Sequence, residues 1–167
     1  MKNHFILRVV SKALIPLILL FAFYVQFHGD YGPGGGFQAG VILGSGFILY
    51  ALVFGLKNAE RVTPARVVET LCALGVLIYA GTGIATLFYG GNFLEYGAFH
   101  GVAWHAHPTA EQAHHFEHMH HAQHLGINLV EVGVGTTVTA VMMTVFYAFA
   151  GRKRVEPPAA KTAESNP

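Results

Sequence analysis

The chain has 167 residues, of which 53% are hydrophobic and only 11% are charged, and its formal net charge is +1. This composition is typical of a small membrane protein and excludes an ordinary soluble domain. The few, scattered basic residues give no support to nucleic-acid binding, and the single cysteine, Cys72, excludes a disulfide framework within one chain.

Four apolar runs are long enough to cross a bilayer as helices, which takes about 20 apolar residues. The predicted spans 1 to 4 cover about 5–27, 37–56, 67–89 and 127–149. Span 1 contains Pro16, where a kink is expected. A secretory signal peptide is the rival interpretation of this span, but no A-x-A-type cleavage site follows its apolar core. The sequence therefore predicts an all-α membrane protein with four transmembrane helices.

A glycine-rich stretch, His28–Gly40 with the sequence HGDYGPGGGFQAG, joins spans 1 and 2. Proline fixes φ near about −65° and glycine reaches positive φ without a steric penalty, so the stretch can reverse the chain tightly. Three successive glycines, 34–36, cost more backbone entropy on ordering than a plain turn requires. Two interpretations remain open: a connector alone, or a connector that also packs tightly or contacts a ligand.

Small residues in spans 2 and 4 predict close helix packing. Gly40 and Gly44 form a small-xxx-small face in span 2, which allows another helix to approach closely. Span 4 carries Gly133 and Gly135 together with several threonines, so it also has a face suited to helix packing.

The distribution of basic residues predicts the topology. All ten Lys and Arg lie in the N-terminal segment, in the connector 57–66 or in the C-terminal tail, and the loop 90–126 has none. Because cytoplasmic segments carry the excess of positive charge, both termini are predicted to be cytoplasmic. Residues 1–151 then form one transmembrane domain with a histidine-rich outer loop between spans 3 and 4. The tail 152–167 is predicted to be disordered.

Ionisable side chains inside a membrane are functional suspects, because burying them is costly. None falls near the middle of a predicted span, so this chain alone offers no series of titratable groups across the bilayer. Glu131, near the outer start of span 4, is the best single candidate, since no basic residue lies nearby in sequence. Two roles stay open for it: accepting a proton or cation that enters from outside, or hydrogen-bonding a neighbouring subunit.

The outer loop contains nine of the eleven histidines. Thr109 to Gln112 fits a capping box after Pro108, which predicts a short helix over about 109–124. On such a helix, one face would carry the side chains of Glu111, His114, His118 and His121.

Three interpretations of these histidines compete. His114 and His118 are four residues apart, a spacing that suits two imidazoles on one zinc ion, and His121 lies on the same face. Zinc, nickel or copper would suit such a site. The alternatives are a tolerant polar insertion that binds no metal, and a pH sensor, since histidine titrates near about 6.5.

The stretch HGDYGPGGGFQAG, the proline-containing span before it and the segment LVEVGV at 129–134 together resemble the small B subunit of Mrp-type multisubunit cation/proton antiporters, the MnhB-domain family. The resemblance covers spans 1, 2 and 4, and span 3 is compatible with it. It implies one subunit of a bacterial inner-membrane complex that exchanges Na⁺, sometimes K⁺, for H⁺. Partners would be the other subunits and membrane lipid, and the intramembrane Lys and Glu residues belong to the larger subunits.

The resemblance assigns no catalytic set to this subunit, so the matching residues are motif or ion-path candidates only. They are Asp30, Pro33, Gly34, Gly35, Gly36, Phe37 and Glu131. The histidine-rich insertion at 100–124 departs from the family pattern, which leaves its role open.

Three functions from different classes compete. A non-catalytic but required transporter subunit needs no cofactor, and the isolated chain would transport nothing. A metal-binding chaperone or sensor would use the outer loop and lose its metal when His114, His118 and His121 become alanine. A membrane di-iron oxidase needs histidine boxes from several cytoplasmic segments, and a single outer cluster does not supply them. The transporter subunit, which is not an enzyme, is the favoured function.

Overall fold

The computed structural model of the chain describes residues 5–29, 34–96 and 113–152, and side chains 113–122 lie outside the description. Five α-helices occupy these residues: α1 (Phe5–Phe27), α2 (Gly36–Phe54), α3 (Leu56–Val62), α4 (Ala65–Phe88) and α5 (Ala113–Ala150). Four helical segments are long and apolar enough to cross a membrane, namely α1, α2, α4 and the part Gln123–Ala150 of α5. The prediction of an all-α protein with four candidate membrane-spanning helices is therefore confirmed.

The four long helices form a layer in the order α1, α2, α5, α4, in which each packs on the next. Helix α5 is central because it contacts both α2 and α4. Helices α2 and α5 run parallel, since Gly36 lies against Glu131 and Gly40 lies against Gly135. This pairing sets which residues of the two helices lie at the same level of the layer.

Glycines allow α2 and α5 to approach closely. A Cβ on Gly40 would lie 2.6 Å from the carbonyl oxygen of Gly135, and a Cβ on Gly44 would lie 3.3 Å from the Cβ of Met142. The hydroxyl of Thr139 lies between two carbonyl oxygens, 3.0 Å from that of Gly40 and 2.8 Å from that of Gly135. The small-xxx-small face predicted for span 2 is thus a helix contact within this chain.

A second glycine contact joins α4 to α5. A Cβ on Gly75 would lie 2.6 Å from the carbonyl oxygen of Gly133, and one on Gly133 would lie 2.9 Å from that of Gly75. Toward the other end of these helices, Val68, Ala140 and Met143 form a buried apolar cluster. Helix α5 therefore has glycines on two sides, which fixes its rotation between α2 and α4.

The connector predicted at 57–66 contains a short helix, α3. Helix α2 ends where Gly55 takes φ 94°, a conformation that side chains disfavour. The side-chain amide of Asn58 then donates to the carbonyl oxygen of Phe54 at 2.8 Å and links the two helices. Further along, the Tyr147 hydroxyl donates to the Thr63 carbonyl oxygen at 2.9 Å and lies 2.6 Å from the Thr63 hydroxyl. These bonds tie the connector to the end of α5.

Replacing Tyr147 with phenylalanine is expected to lower the free energy of unfolding by about 1–2 kcal/mol, because each lost hydrogen bond contributes about 1 kcal/mol. The measurement is heat-induced unfolding of the purified chain in detergent. Tyr24→Phe is the matched control, since that exposed ring stacks on Phe21 and His28 through its face rather than its hydroxyl. Equal midpoints for the two variants would show that the Tyr147 bonds contribute nothing.

Helix α5 differs from the prediction at its start. A short helix ending near residue 124 and a separate span beginning at 127 were expected, but one helix runs from Ala113 to Ala150. No proline interrupts this stretch, and extending an existing helix gains a hydrogen bond for each residue without a new nucleation step. Between the two predicted segments the helix passes through Gly126, which costs only about 1 kcal/mol, and the ring of Tyr96 packs over it. The tail from residue 153 onward lies outside the described residues.

Candidate functional site

The described residues of the glycine turn, 28–29 and 34–36, include three glycines that lie against Glu131. A Cβ on Gly29 would lie 2.6 Å from the Oε2 atom of Glu131, and one on Gly35 would lie 3.2 Å from its Oε1 atom. A Cβ on Gly36 would lie 2.7 Å from the carbonyl carbon of Glu131. Gly36 has no room for a side chain because the backbone of Glu131 occupies that space, whereas a Cβ on Gly29 or Gly35 would crowd the carboxylate.

The backbone of the turn is held at the end of α1. The N–H groups of His28 and Gly35 both donate to the carbonyl oxygen of Val25, each at 3.3 Å. Gly35 has φ 116° and ψ 173°, a region that only glycine populates. Its carbonyl oxygen then accepts from Ala39 N–H at 3.1 Å, which begins α2. The turn is therefore more than a connector, because its shape positions the contact with the carboxylate.

Glu131 lies level with the start of α2, whereas α4 and α5 continue past it. Helix α5 begins 18 residues before it, at Ala113, which corresponds to about 27 Å at 1.5 Å per residue. Helix α4 crosses this level near its contact with Gly133 and continues to Phe88. The carboxylate is half-buried and its Oε2 atom is fully buried. A charge held there costs more than one at the surface, which favours binding of a proton or a cation.

Gln26 lies next to this carboxylate site, one helical turn deeper along α5. Its Oε1 atom would lie 2.6 Å from a Cβ on Gly135, so the amide packs against the backbone of that glycine. The Nε2 atom is buried and has no hydrogen-bond partner in the described part of the chain. Sequence reasoning missed this residue, although it is the one amide side chain in an otherwise apolar half of span 1.

A segment after α4 covers the α4–α5 contact above Glu131. The Phe93 ring fills the notch at Gly83, where a Cβ would lie 2.8 Å from a ring carbon. The buried Thr86 hydroxyl lies 2.9 Å from the Asn92 carbonyl oxygen and accepts from Leu94 N–H at 3.0 Å. These contacts fix the segment against the end of α4.

Tyr96 follows in the same segment. Its ring packs on Gly126 of α5, where a Cβ would lie 2.7 Å from a ring carbon. Burial raises the pKa of Tyr96, and the nearby Tyr79 hydroxyl raises it further, so this phenol stays neutral at physiological pH.

The predicted site residues divide into three groups. Gly35 and Gly36 lie against Glu131 and Gly34 lies against the carbonyl oxygen of Val25, whereas the Phe37 side chain is 64% exposed. Asp30 and Pro33 lie outside the described residues, and so do the side chains of His114, His118 and His121. Among the residues that the structure describes, no three His, Cys, Asp or Glu side chains form a metal-binding group. The metal site at the histidines stays a prediction.

Comparison with known proteins matches most of the chain to one family. The model of a "Domain related to MnhB subunit of Na+/H+ antiporter" matches residues 6–144, which include all the helix contacts around Glu131. Several staphylococcal relatives are named "Putative antiporter subunit mnhB2". The relative from Staphylococcus haemolyticus (strain JCSC1435) is 33% identical over 152 residues, covering 91% of this chain and 98% of the relative.

Two further relatives match this chain with similar identity and coverage. The protein from Staphylococcus epidermidis (strain RP62A) is 31% identical over 153 residues, and that from Staphylococcus aureus (strain Newman) is 33% identical over 150 residues. Each alignment covers 90% of this chain and 96% of the relative. The match is therefore to whole proteins rather than to a shared fragment, and the chain belongs to the family of domains related to the MnhB subunit of Na⁺/H⁺ antiporters.

Proposed function

We propose that this chain is a non-catalytic but required subunit of a multisubunit antiporter that exchanges Na⁺ for H⁺ across the bacterial plasma membrane. The observation that carries the proposal is the family match over residues 6–144, which takes in the four candidate membrane-spanning helices. No predicted span carries a charged residue near its middle, so transport across the bilayer requires other subunits.

The basic residues support an orientation with both ends in the cytoplasm. Four crossings return the chain to the side on which it started, and the connector containing α3 carries Lys57, Arg61 and Arg66. The glycine turn and the residues that precede α5 then face outward. Membrane lipid would cover the faces of the helices that other subunits leave open.

Glu131 and the glycine turn would contribute to the outer mouth of an ion path. A carboxylate binds protons and hard cations such as Na⁺, which prefer oxygen ligands. Gly29 and Gly35 leave the carboxylate room beside the turn, and its Oε2 atom is buried. Asp30 directly follows Gly29 in sequence and is the second acidic residue of the proposed mouth.

Sodium/proton exchange in everted vesicles from an antiporter-deficient host tests the proposal. One sample carries the chain with its neighbouring antiporter genes, a second carries those genes without it, and a third carries the chain alone. Exchange in the first sample only is the expected result. Full exchange in the second would contradict a required role, and exchange in the third would contradict a non-catalytic one.

A further inference from the structure

One side of α5 carries three polar residues in succession, His124, Asn128 and Glu131. Because α5 continues unbroken through them, their positions lie within an arc of about 60°, at about 100° per residue. Residues three or four positions apart are neighbours on a helix surface, so Asn128 adjoins both His124 and Glu131. All three are half-buried. These residues, the polar line of α5, connect the level of His124 with the level of the glycine turn.

The helix contacts show which side of α5 carries the polar line. Three glycines of the turn lie against Glu131, so the line is on the side of the glycine turn. Gly126 and Gly133 lie about 150° away around α5, at about 100° per residue, and contact Tyr96 and Gly75. Helix α4 and the segment after it therefore cover the opposite side of α5.

Asn128 is the middle residue of the polar line. Its side-chain amide donates to the carbonyl oxygen of His124 at 3.0 Å, a bond that holds the amide against the helix surface. The amide thus lies at a level between the imidazole and the carboxylate. Because an amide carries both donors and an acceptor, it can hold a water molecule between two ionisable groups.

Other ionisable groups near this end come from the turn, from α4 and from the segment after α4. They are His28, Asp30, Tyr79, Glu95 and Tyr96. The His28 ring stacks on Tyr24, with ring centroids 5.1 Å apart, and Glu95 accepts from Asn92 N–H at 2.7 Å. Helix α2 carries no charged residue. On α5 from Gln123 to Glu131, His124 is the residue before the carboxylate whose side chain can exchange protons near neutral pH.

We propose that His124 supplies protons to Glu131 along the polar line of α5. The two residues are about 10 Å apart along the helix, at about 1.5 Å per residue, so water has to carry the proton between them. The His124 imidazolium breaks an N–H bond and gives its proton to water beside the Asn128 amide. That water passes a proton to the Glu131 carboxylate, where an O–H bond forms. His124 then takes a replacement proton from water beyond the start of the line.

The proposal rests on the proposed function, in which Glu131 belongs to the outer mouth of an ion path. It deepens that function by naming the group through which the exchanged proton reaches the carboxylate. In the proposed orientation, His124 lies on the outer side of Glu131.

Two variants of His124, each co-expressed with the neighbouring antiporter genes, test the relay in everted vesicles. The initial exchange rate of His124→Gln should fall at least fivefold, while the half-saturating Na⁺ concentration and the co-purified subunits stay within about twofold of the wild type. His124→Glu should keep at least half of the wild-type rate, because a carboxylate also exchanges protons. A wild-type rate for His124→Gln, equal losses in both variants, or loss of the co-purified subunits would overturn the proposal.

Tyr96→Phe is the matched control. It removes an ionisable hydroxyl from a side chain that packs on Gly126, at the level of the polar line but on the other side of α5. Its exchange rate should stay within about twofold of the wild type. A loss as large as that of His124→Gln would show that the effect is not specific to the polar line and would overturn the proposal.

A double variant tests whether His124 acts through Glu131. Two residues in one path have non-additive effects, whereas independent residues have additive ones. Adding His124→Gln to Glu131→Gln should therefore lower the exchange rate less than twofold further. A further fivefold loss would show that His124 acts independently of Glu131 and would overturn the relay.

The two levels of inference fail differently. If exchange does not require this chain, the proposed function is wrong. If exchange requires the chain and falls in Glu131→Gln, but is unchanged in His124→Gln, only the relay is wrong.

Discussion

Replacing Gly35 with alanine is expected to prevent assembly of a functional antiporter. At φ 116° and ψ 173°, a non-glycine residue carries a strain of about 1–3 kcal/mol. The new Cβ would also lie 3.2 Å from the Glu131 Oε1 atom, so the carboxylate would have to shift. Exchange in vesicles and co-purification of the other subunits should both fall at least tenfold. A valine at this position should have the stronger effect, because a β-branched residue resists positive φ.

Gly81→Ala is the matched control for this variant. Gly81 lies on α4, and a Cβ there would have nothing within 4 Å. Alanine favours a helix over glycine by about 1 kcal/mol, so this variant should assemble normally or be slightly more stable. If Gly35→Ala behaves like Gly81→Ala, the turn is a connector without a role in positioning Glu131.

A Glu131→Gln variant is expected to assemble, but its exchange rate should be at least tenfold lower than that of the wild type. Glutamine has nearly the same size as glutamate, so the packing on Gly29 and Gly35 is retained. Its amide carries no exchangeable charge and cannot take up and release a proton at physiological pH. The measurement is the initial rate of Na⁺-induced proton movement in everted vesicles, together with co-purification of the other subunits.

Glu69→Gln is the control variant for the Glu131→Gln experiment. Glu69 is an exposed carboxylate near the start of α4, at the opposite end of the layer from Glu131. Its loss should leave the exchange rate within about twofold of the wild type, since Glu69 lies far from the glycine turn and from Glu131. Normal exchange by Glu131→Gln would remove Glu131 from the ion path and leave it a role in packing. Loss of assembly instead would assign it to the subunit interface.

Local sequence patterns were sufficient to predict the long helices. Each apolar run is long enough to cross a bilayer, and the structure places a helix on each of them within a few residues. Patterns of this kind could not predict α3, because its seven residues contain three charges and one Asn between two turns. They also misplaced the start of α5, since histidine and glutamine permit a helix without marking its boundary.

The candidate site was predicted in separate parts but not as one site. The glycine turn was singled out by its three successive glycines and Glu131 by its charge in an apolar span. The two are about 100 residues apart in the chain. Their contact depends on parallel packing of α2 and α5, in which Gly36 faces Glu131. The pattern of residues within one helix does not predict how that helix aligns with another. Gln26 was missed for the same reason, because the burial of an amide in an apolar helix depends on which helices pack against it.

The unbroken course of α5 bears on how this family changes over evolution. An insertion within a helix turns everything on one side of it by about 100° per residue relative to the other side. Between Gly126 and Gly133 such a change would separate the Tyr96 contact from the Gly75 contact. Before Gly126 the same change would rotate only the first turns of the helix. A change of length there would cost the helix layer little, and the histidines of α5, at 114–124, all lie in this part of the helix.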